Sequence, residues 1–228
     1  MTKAVQVSDV DKTFHSGDSV VHALKNVTLE ARFGELAMIV GPSGCGKTTL
    51  LSVIAGTLNY DKGEIELFGQ NLRSLNDAEL TEFRKKNVGF IFQHYRLIPT
   101  LSVLDNVTVP LILNGVHYKE AEARSAEVLG KVGLKGKESE HPGTLSGGQQ
   151  QRVAIARALV HEPRLIICDE PTAALDAETG HIALELLVNV ARSPERSVII
   201  VTHDNRIYKY ADRMFKMDDG RITEQKKE

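Results

Sequence analysis

No stretch of this sequence stays apolar for long. The greasiest runs, VTVPLIL and SVIIV, fall far short of the roughly 20 residues a membrane-spanning helix needs. The start, MTKAVQVSDVDKTF, lacks the apolar stretch of a signal peptide. The chain is therefore expected to be cytoplasmic and to reach a membrane only through a partner. Cysteine is scarce: Cys45 and Cys168 are too few for a disulfide framework and fit a reducing compartment. Charge of one sign is not in excess either. Lys and Arg number 28 against 30 Asp and Glu, a formal net charge of −2, so there is no global basic field and no nucleic-acid partner is expected. Internal repeats, low-complexity segments and flexible linkers are also missing.

What is present is an ordinary globular composition, 42% hydrophobic and 25% charged over 228 residues. That allows one large domain, or one domain with a sub-domain, around a substantial core. The first third alternates like sheet in AVQVSDVDKTF, HALKNVTLEA, ELAMIV and EIELFG, punctuated by Gly17, Gly34 and Gly63. KTTLLSVIAG reads as an apolar helix closed by Gly56, and residues 77–86 as a helix capped by Asn76 ahead of a short strand, VGFIFQ. Helical periodicity then takes over in SVLDNVTVPLILNG and YKEAEARSAEVLGKVGL, with no strand candidate between about 95 and 160. RLIICDEP and SVIIVTHD are continuous apolar runs ending in polar residues, the pattern of buried parallel strands with chemistry at their carboxyl ends. DRMFKMDDGRITEQ reads as a closing hairpin turned at Asp219-Gly220. The expected plan is an α/β core with an antiparallel β layer over about 1–93 and 161–228, and a helical sub-domain over about 94–160.

GPSGCGKT fits G-x-x-x-x-G-K-[ST] without a gap and sits between a strand and a helix, as a phosphate-binding P-loop must. Glycines there let backbone amides turn toward phosphates, Lys47 adds a point charge, and the Thr48 hydroxyl suits Mg²⁺. Asp169 ends a strand and can support the metal, while Glu170 beside it can polarise an attacking water. His203 ends a third core strand; it reads either as a structural histidine or as a contact to the outer phosphate. Gln93 ends VGFIFQ with a side-chain carbonyl suited to the metal or the lytic water. TLSGGQQQRVAIARALV (144–160) raises a question of its own: its glycine pair opens an amphipathic helix, a second anion-suited helix N-terminus in a chain that already has one.

Taken in order, GPSGCGKTT, Gln93, LSGGQ, LIICDE, Ala174-Leu175-Asp176 and His203 resemble the nucleotide-binding domain of an ATP-binding cassette (ABC) transporter, from about residue 4 to 223. The resemblance implies an α/β P-loop NTPase core with a mostly parallel sheet, an antiparallel β sub-domain and a helical sub-domain. It implies that Gly41, Pro42, Ser43, Gly44, Cys45, Gly46, Lys47, Thr48 and Thr49 bind ATP phosphates. Thr48 and Gln93 would ligate Mg²⁺, with Asp169 supporting it. Glu170 would be the general base, His203 the switch histidine, Asp176 part of an inter-subunit loop, and Phe14 an aromatic that stacks on adenine; core packing is the other reading of Phe14. In this family Ser146, Gly147, Gly148 and Gln149 cover the γ-phosphate held by a second copy of the chain, so the working unit would be an ATP-sandwich homodimer.

The stretch GFIFQHYRLIPTLSVLDNVTVPLILNG resembles the branch containing macrolide-efflux, lipoprotein-releasing, heterocyst-glycolipid and cell-division ATPases. In it a small ATPase pairs with a separate membrane protein, received here by a groove over His94 to Asn106. Ala173-Ala174 stands where many lipoprotein-releasing and macrolide-type members carry Gly-Asn, and looks nearer the glycolipid-exporter-like members. The implied activity is ATP hydrolysis driving a membrane exporter or force-transmitting complex. The alternatives are a non-transport ABC ATPase or a regulatory subunit. The short span from Gln93 to Leu145 leaves no room for the coiled coils of DNA-repair members, and there is one cassette where translation factors carry two. Cys45 and Cys168 read as two small buried side chains or, in this fold, as near neighbours sensitive to oxidants.

Overall fold

The computed structural model describes residues 2–17 and 19–227, and the chain divides into two compact units, 1–84 with 192–228 and 85–191. In the first unit β1 (Lys3–Ser16), β2 (Ser19–Arg32), β4 (Lys62–Leu67) and β5 (Gln70–Asn71) form an antiparallel sheet in the order β2-β1-β4-β5. Alternation puts Val5, Val7, Leu24, Val27, Leu29 and Ile65 inside, as one buried face of an antiparallel sheet requires. The two long strands run further than the alternation alone predicts, with bulges in β1 around Val7–Thr13.

β3 (Leu36–Val40) and β8 (Ser197–Thr202) are buried along their whole length and pair in parallel, Val40 opposite Thr202. β9 (Arg213–Asp218) pairs in parallel with β3 on its other side, Val40 opposite Lys216. Three carboxyl ends are thus aligned. β9 returns as β10 (Arg221–Lys227) through Asp219 (φ 39°) and Gly220 (φ 76°). Two successive positive φ angles make this the tight turn that Asp-Gly favours.

The second unit holds β6 (Val88–Ile91) and β7 (Leu165–Asp169), parallel neighbours with Ile91 opposite Cys168. Between them the regular elements are helical: α3 (Val103–Leu113), α4 (Tyr118–Lys131) and α5 (Gly147–Leu159), with a single 3₁₀ turn at Pro142–Thr144. α6 (Ala177–Ala191) follows β7; the sequence reading above does not include it. α1 (Lys47–Ile54) and α2 (Asp77–Asn87) complete the helices. Asn76 caps α2 as read: its side-chain oxygen accepts from Ala78 N and Glu79 N at 3.0 Å, and Glu79 reaches back to Asn76 N.

Two acidic residues fix the start of β3 against β9. Glu35 and Arg213 are each only 6% exposed. Arg213 Nη2 donates to Glu35 Oε1 at 3.3 Å, its Nε lies 3.3 Å from Oε2 but off the line of a hydrogen bond, and Arg32 N donates to Oε2. Asp212 accepts from Leu36 N at 2.8 Å and from the exposed Arg192. Removing one partner of a buried pair strands the other charge. Glu35→Ala is expected to cost about 3–5 kcal/mol in chemical denaturation, and Arg192→Ala less than about 1 kcal/mol because that pair is solvated. Equal losses would refute the ranking.

Candidate functional site

The first unit carries the P-loop, residues 41–48 between the end of β3 and the start of α1. Its shape is forced by packing. A side chain at Gly41 would run into the carbonyl of Met217, and Gly46, at φ 106°, sits against the carbonyl of Ala23. Gly220 N donates to Cys45 O at 2.9 Å, and Lys25 N donates to Gly220 O at 2.8 Å. The hairpin turn thus holds the loop from behind. Pro42, Ser43 and Gly44 are exposed, and Thr48 is exposed in the first turn of α1 with Thr49 half-buried behind it.

Lys47 is buried, and its ammonium donates to Gly41 O (2.8 Å) and Pro42 O (2.7 Å), folding the loop around its own charge. α1 begins at Gly46 with no side-chain cap and no acid in its first turn. Its first amides and the positive end of its dipole are left for an external anion.

His203 follows β8 directly and is exposed. It shares with Gly41 and Pro42 a cavity of about 590 Å³ that Tyr208, Met214 and Lys216 also line. Next to it, the Arg206 guanidinium donates to Asp204 and holds that carboxyl below its usual range. Phe14 stands on β1 opposite Val21, 40% exposed, with Lys12 Nζ 5.5 Å from its ring centroid. That exposure removes the core-packing reading and leaves a ring face in solvent.

The second unit carries the other group. Gln93 lies two residues beyond β6, exposed; Asp169 is the last residue of β7, buried; Glu170 follows at φ 49°, half-buried. Because β6 and β7 are parallel and in register, all three occur past the same edge of that pair. A left-handed non-glycine backbone right after a buried strand is the kind of strain that concentrates at functional sites.

The LSGGQ stretch is built as a helix start. Ser146 Oγ accepts from Gln149 N at 3.3 Å and Gln149 Oε1 accepts from Ser146 N at 2.9 Å, a full capping box. The amides of Gly147 and Gly148, the first two of α5, lack an intrahelical acceptor by the geometry of any helix. Gly148 is buried, and a side chain there would meet the Thr179 methyl of α6. Gly147 borders Leu175 and the Tyr95 hydroxyl. Asp176, exposed, caps α6: its Oδ1 accepts from Thr179 N (3.0 Å) and Glu178 N (3.2 Å), which keeps its carboxyl below the usual range.

Both cysteines are free and buried. Burial beside Asp169 pushes the Cys168 thiol far above its usual range, so it offers no ready thiolate. The buried-side-chain reading holds for it. Tyr95, Arg157 and Thr179 went unnoticed at the sequence level, though an arginine inside the apolar stripe AIARAL was a visible signal.

The ABC transporter family model matches residues 24–173. The chain belongs to the ABC transporter family. Its relatives include the lipoprotein-releasing system ATP-binding protein LolD of Chromohalobacter salexigens, 42% identical over 93% of this chain and 90% of that one. The macrolide export ATP-binding/permease protein MacB of Escherichia coli is 40% identical over 97% of this chain but only 34% of its own length. Among solved structures, the Methanocaldococcus jannaschii cassette MJ0796, a dimer in a post-hydrolysis state bound to ADP and Pi, aligns over 98% of both chains with a TM-score of 0.90 and 38% identity. This ABC protein is thus an ATPase of the LolD and MacB branch, with the α/β P-loop fold of that family. No helix among its described residues is long and apolar enough to cross a membrane.

In this ATPase the fit of Gly148 against Thr179 is open to test. Gly148→Ala is expected to lower stability by about 1–3 kcal/mol through overpacking. Thr179→Ser, which deletes the obstructing methyl, should recover part of that loss in a double-mutant cycle of melting curves. Additive losses would show that the methyl is not the obstacle.

Proposed function

We propose that this ABC ATPase works as a symmetric pair of copies, closing head to tail around two ATP molecules, and that it powers a membrane exporter or force-transmitting complex. The observation that carries the reading is the second anion-suited helix N-terminus, at Ser146–Gly148, in a chain whose α1 already supplies one. A relative at 38% identity solved as a dimer with ADP and Pi supports it.

Within one copy, Gly41 to Thr49 hold the triphosphate, Lys47 neutralises its outer phosphates, and Phe14 stacks on the adenine. Ser146, Gly147, Gly148 and Gln149 of one copy face the γ-phosphate held by the other, and Asp176 lies in the loop between copies. Glu170 accepts a proton from the attacking water as its oxygen bonds to the γ-phosphorus and the bond to the ADP oxygen breaks. His203 contacts the γ-phosphate and steadies it through that step.

The donor set fits Mg²⁺. Thr48 would supply a hydroxyl, Gln93 a carbonyl and Asp169 a buried carboxylate. Such a sparse oxygen set suits an ion that keeps its waters and binds through substrate phosphates. When bound, the ion neutralises charge that develops on the phosphoryl oxygens.

Residues of about 94–160, which hold α3, α4 and α5 with the signature at the start of α5, act in this reading as the helical sub-domain. About 1–93 and 161–228 act as core and β layer. The membrane partner docks on the stretch His94 to Asn106. Its exposed members are His94, Arg96, Ile98, Pro99 and Thr100, whereas Asn106 is fully buried and binds the backbone at Ile98, Leu101 and Ser102. Asn106 therefore shapes that surface from beneath. The protein sits at the inner face of the cell membrane through this partner.

Glu170→Gln should retain ATP binding, lose turnover and accumulate as a dimer with MgATP in size-exclusion chromatography. A monomer at saturating MgATP sinks the shared-site reading. Lys47→Ala should weaken ATP binding itself by tenfold or more, on the order of the 1.5–3 kcal/mol of a charge-assisted hydrogen bond; calorimetry reads it, and unchanged affinity removes Lys47 from the cradle.

A further inference from the structure

The segment after Gln93 is held in an unusual way. Tyr95 and Arg96 are consecutive non-glycine residues in the left-handed region, at φ 55° and 47°. Nothing in their side chains favours that backbone. Within the turn Tyr95 N donates to Phe92 O at 3.1 Å and Arg96 N to His94 O, and α5 adds two more bonds: Arg157 Nη2 donates to Tyr95 O at 2.5 Å and Nη1 to Arg96 O at 2.6 Å. The fork of a guanidinium matches two neighbouring carbonyls in a way an ammonium does not.

The Tyr95 side chain also approaches the other end of the same helix. The Tyr95 hydroxyl is buried with no hydrogen-bond partner among the described residues, and it lies 3.4 Å from where a side-chain carbon on Gly147 would be. From the other side, Phe92 stacks on Phe90 at 4.2 Å, and the Arg96 guanidinium lies 4.6 Å from the Phe92 centroid. The Gln93 backbone is thus bracketed between a ring stack and a two-point attachment to α5.

We propose that Arg157 is a positioning residue for Gln93, and that through Tyr95 it makes the Gln93 loop and the start of the signature helix a single mechanical piece. The inference rests on the proposed roles of Gln93 and of Ser146–Gln149. If α5 is drawn toward the partner copy's phosphate, Arg157 carries the Tyr95 and Arg96 carbonyls with it. Gln93, two residues away, moves relative to its own metal and water. One copy's bound ATP thereby sets the reactivity of the other site. Arg157 thus acts through the loop carbonyls it binds.

The test is the Mg²⁺ dependence of ATPase activity for wild type, Arg157→Lys, Gln93→Ala and the double variant. Arg157→Lys is expected to raise the Mg²⁺ concentration for half-maximal rate about threefold to tenfold and to lower kcat about tenfold or more. The KM for ATP should stay within about twofold, because the P-loop and Phe14 are unchanged. In the double variant the Mg²⁺ shift should not exceed that of Gln93→Ala alone. A kcat loss with no Mg²⁺ shift, or additive shifts, overturns the proposal by reducing Arg157 to a structural residue.

Hydrogen exchange of Glu170→Gln, titrated with MgATP, gives an answer even if Arg157→Lys does not fold. Amides 94–96 and 147–149 should gain protection together, and protection of one segment without the other overturns the link. Should Glu170→Gln fail to dimerise at all, it is the shared-site reading that falls, which size exclusion detects separately.

Discussion

A parallel strand buried on both faces can present chemistry only at its end, and that constraint organises this molecule. Every residue of β3, β7 and β8 is buried, so their side chains short of the last position cannot meet a soluble substrate. The proposed site groups stand at or past those ends: Gly41 after β3, Asp169 as the last residue of β7 with Glu170 after it, His203 after β8, and Gln93 two residues beyond β6. Within each unit parallel pairing sets these ends level, because Val40 lies opposite both Thr202 and Lys216, and Ile91 opposite Cys168. Register errors of one residue would turn core side chains outward, so the same apolar runs that make the core also aim the site.

The two anion-suited helix starts solve different problems. α1 starts without a side-chain cap, after a glycine at φ 106°, with the positive end of its dipole unopposed, which suits the triphosphate proposed for it. α5 must keep its shape without a ligand, so Ser146 and Gln149 satisfy each other's amides and leave two glycine amides to spare. Gly148 is glycine for a third reason, since the Thr179 methyl occupies the place of its side chain. The signature's sequence is thus set partly by its own scaffold, with Asp176 tying off the start of α6 on the other side of that contact.

What was legible in the sequence is what short-range rules control. The P-loop, the apolar strands ending in Asp169 and Thr202, the Asn76 cap and the Asp219-Gly220 turn each depend on a few adjacent residues. What was not legible depends on tertiary neighbours. Phe14 carries two readings in the sequence, an adenine-stacking aromatic and a core side chain, until β1 and β2 pair and leave it exposed beside Val21. Arg157 looks misplaced among the alanines and isoleucine of α5 until the Tyr95 and Arg96 carbonyls arrive from some 60 positions away. α6 is masked in the sequence because its first turn, AETG, continues the polar loop DEPTAALD without a break.

The energetics of the Gln93 loop suit a moving part. Each left-handed non-glycine residue costs about 1–2 kcal/mol, so Tyr95 and Arg96 together cost about 2–4. Two hydrogen bonds from a charged donor return about 1.5–3 kcal/mol each, less the desolvation that pulls the Arg157 pKa down. These sums are of similar size, so the loop is held by a small margin. The Tyr95 hydroxyl, which has no hydrogen-bond partner among the described residues, narrows that margin further, since a buried unsatisfied group costs about 1–3 kcal/mol. A segment balanced this closely needs little differential binding energy to change position. Rigid support from α5 and near-neutral strain in the loop are what a coupling element requires, because a loop locked more tightly would resist α5 and one locked less tightly would not follow it.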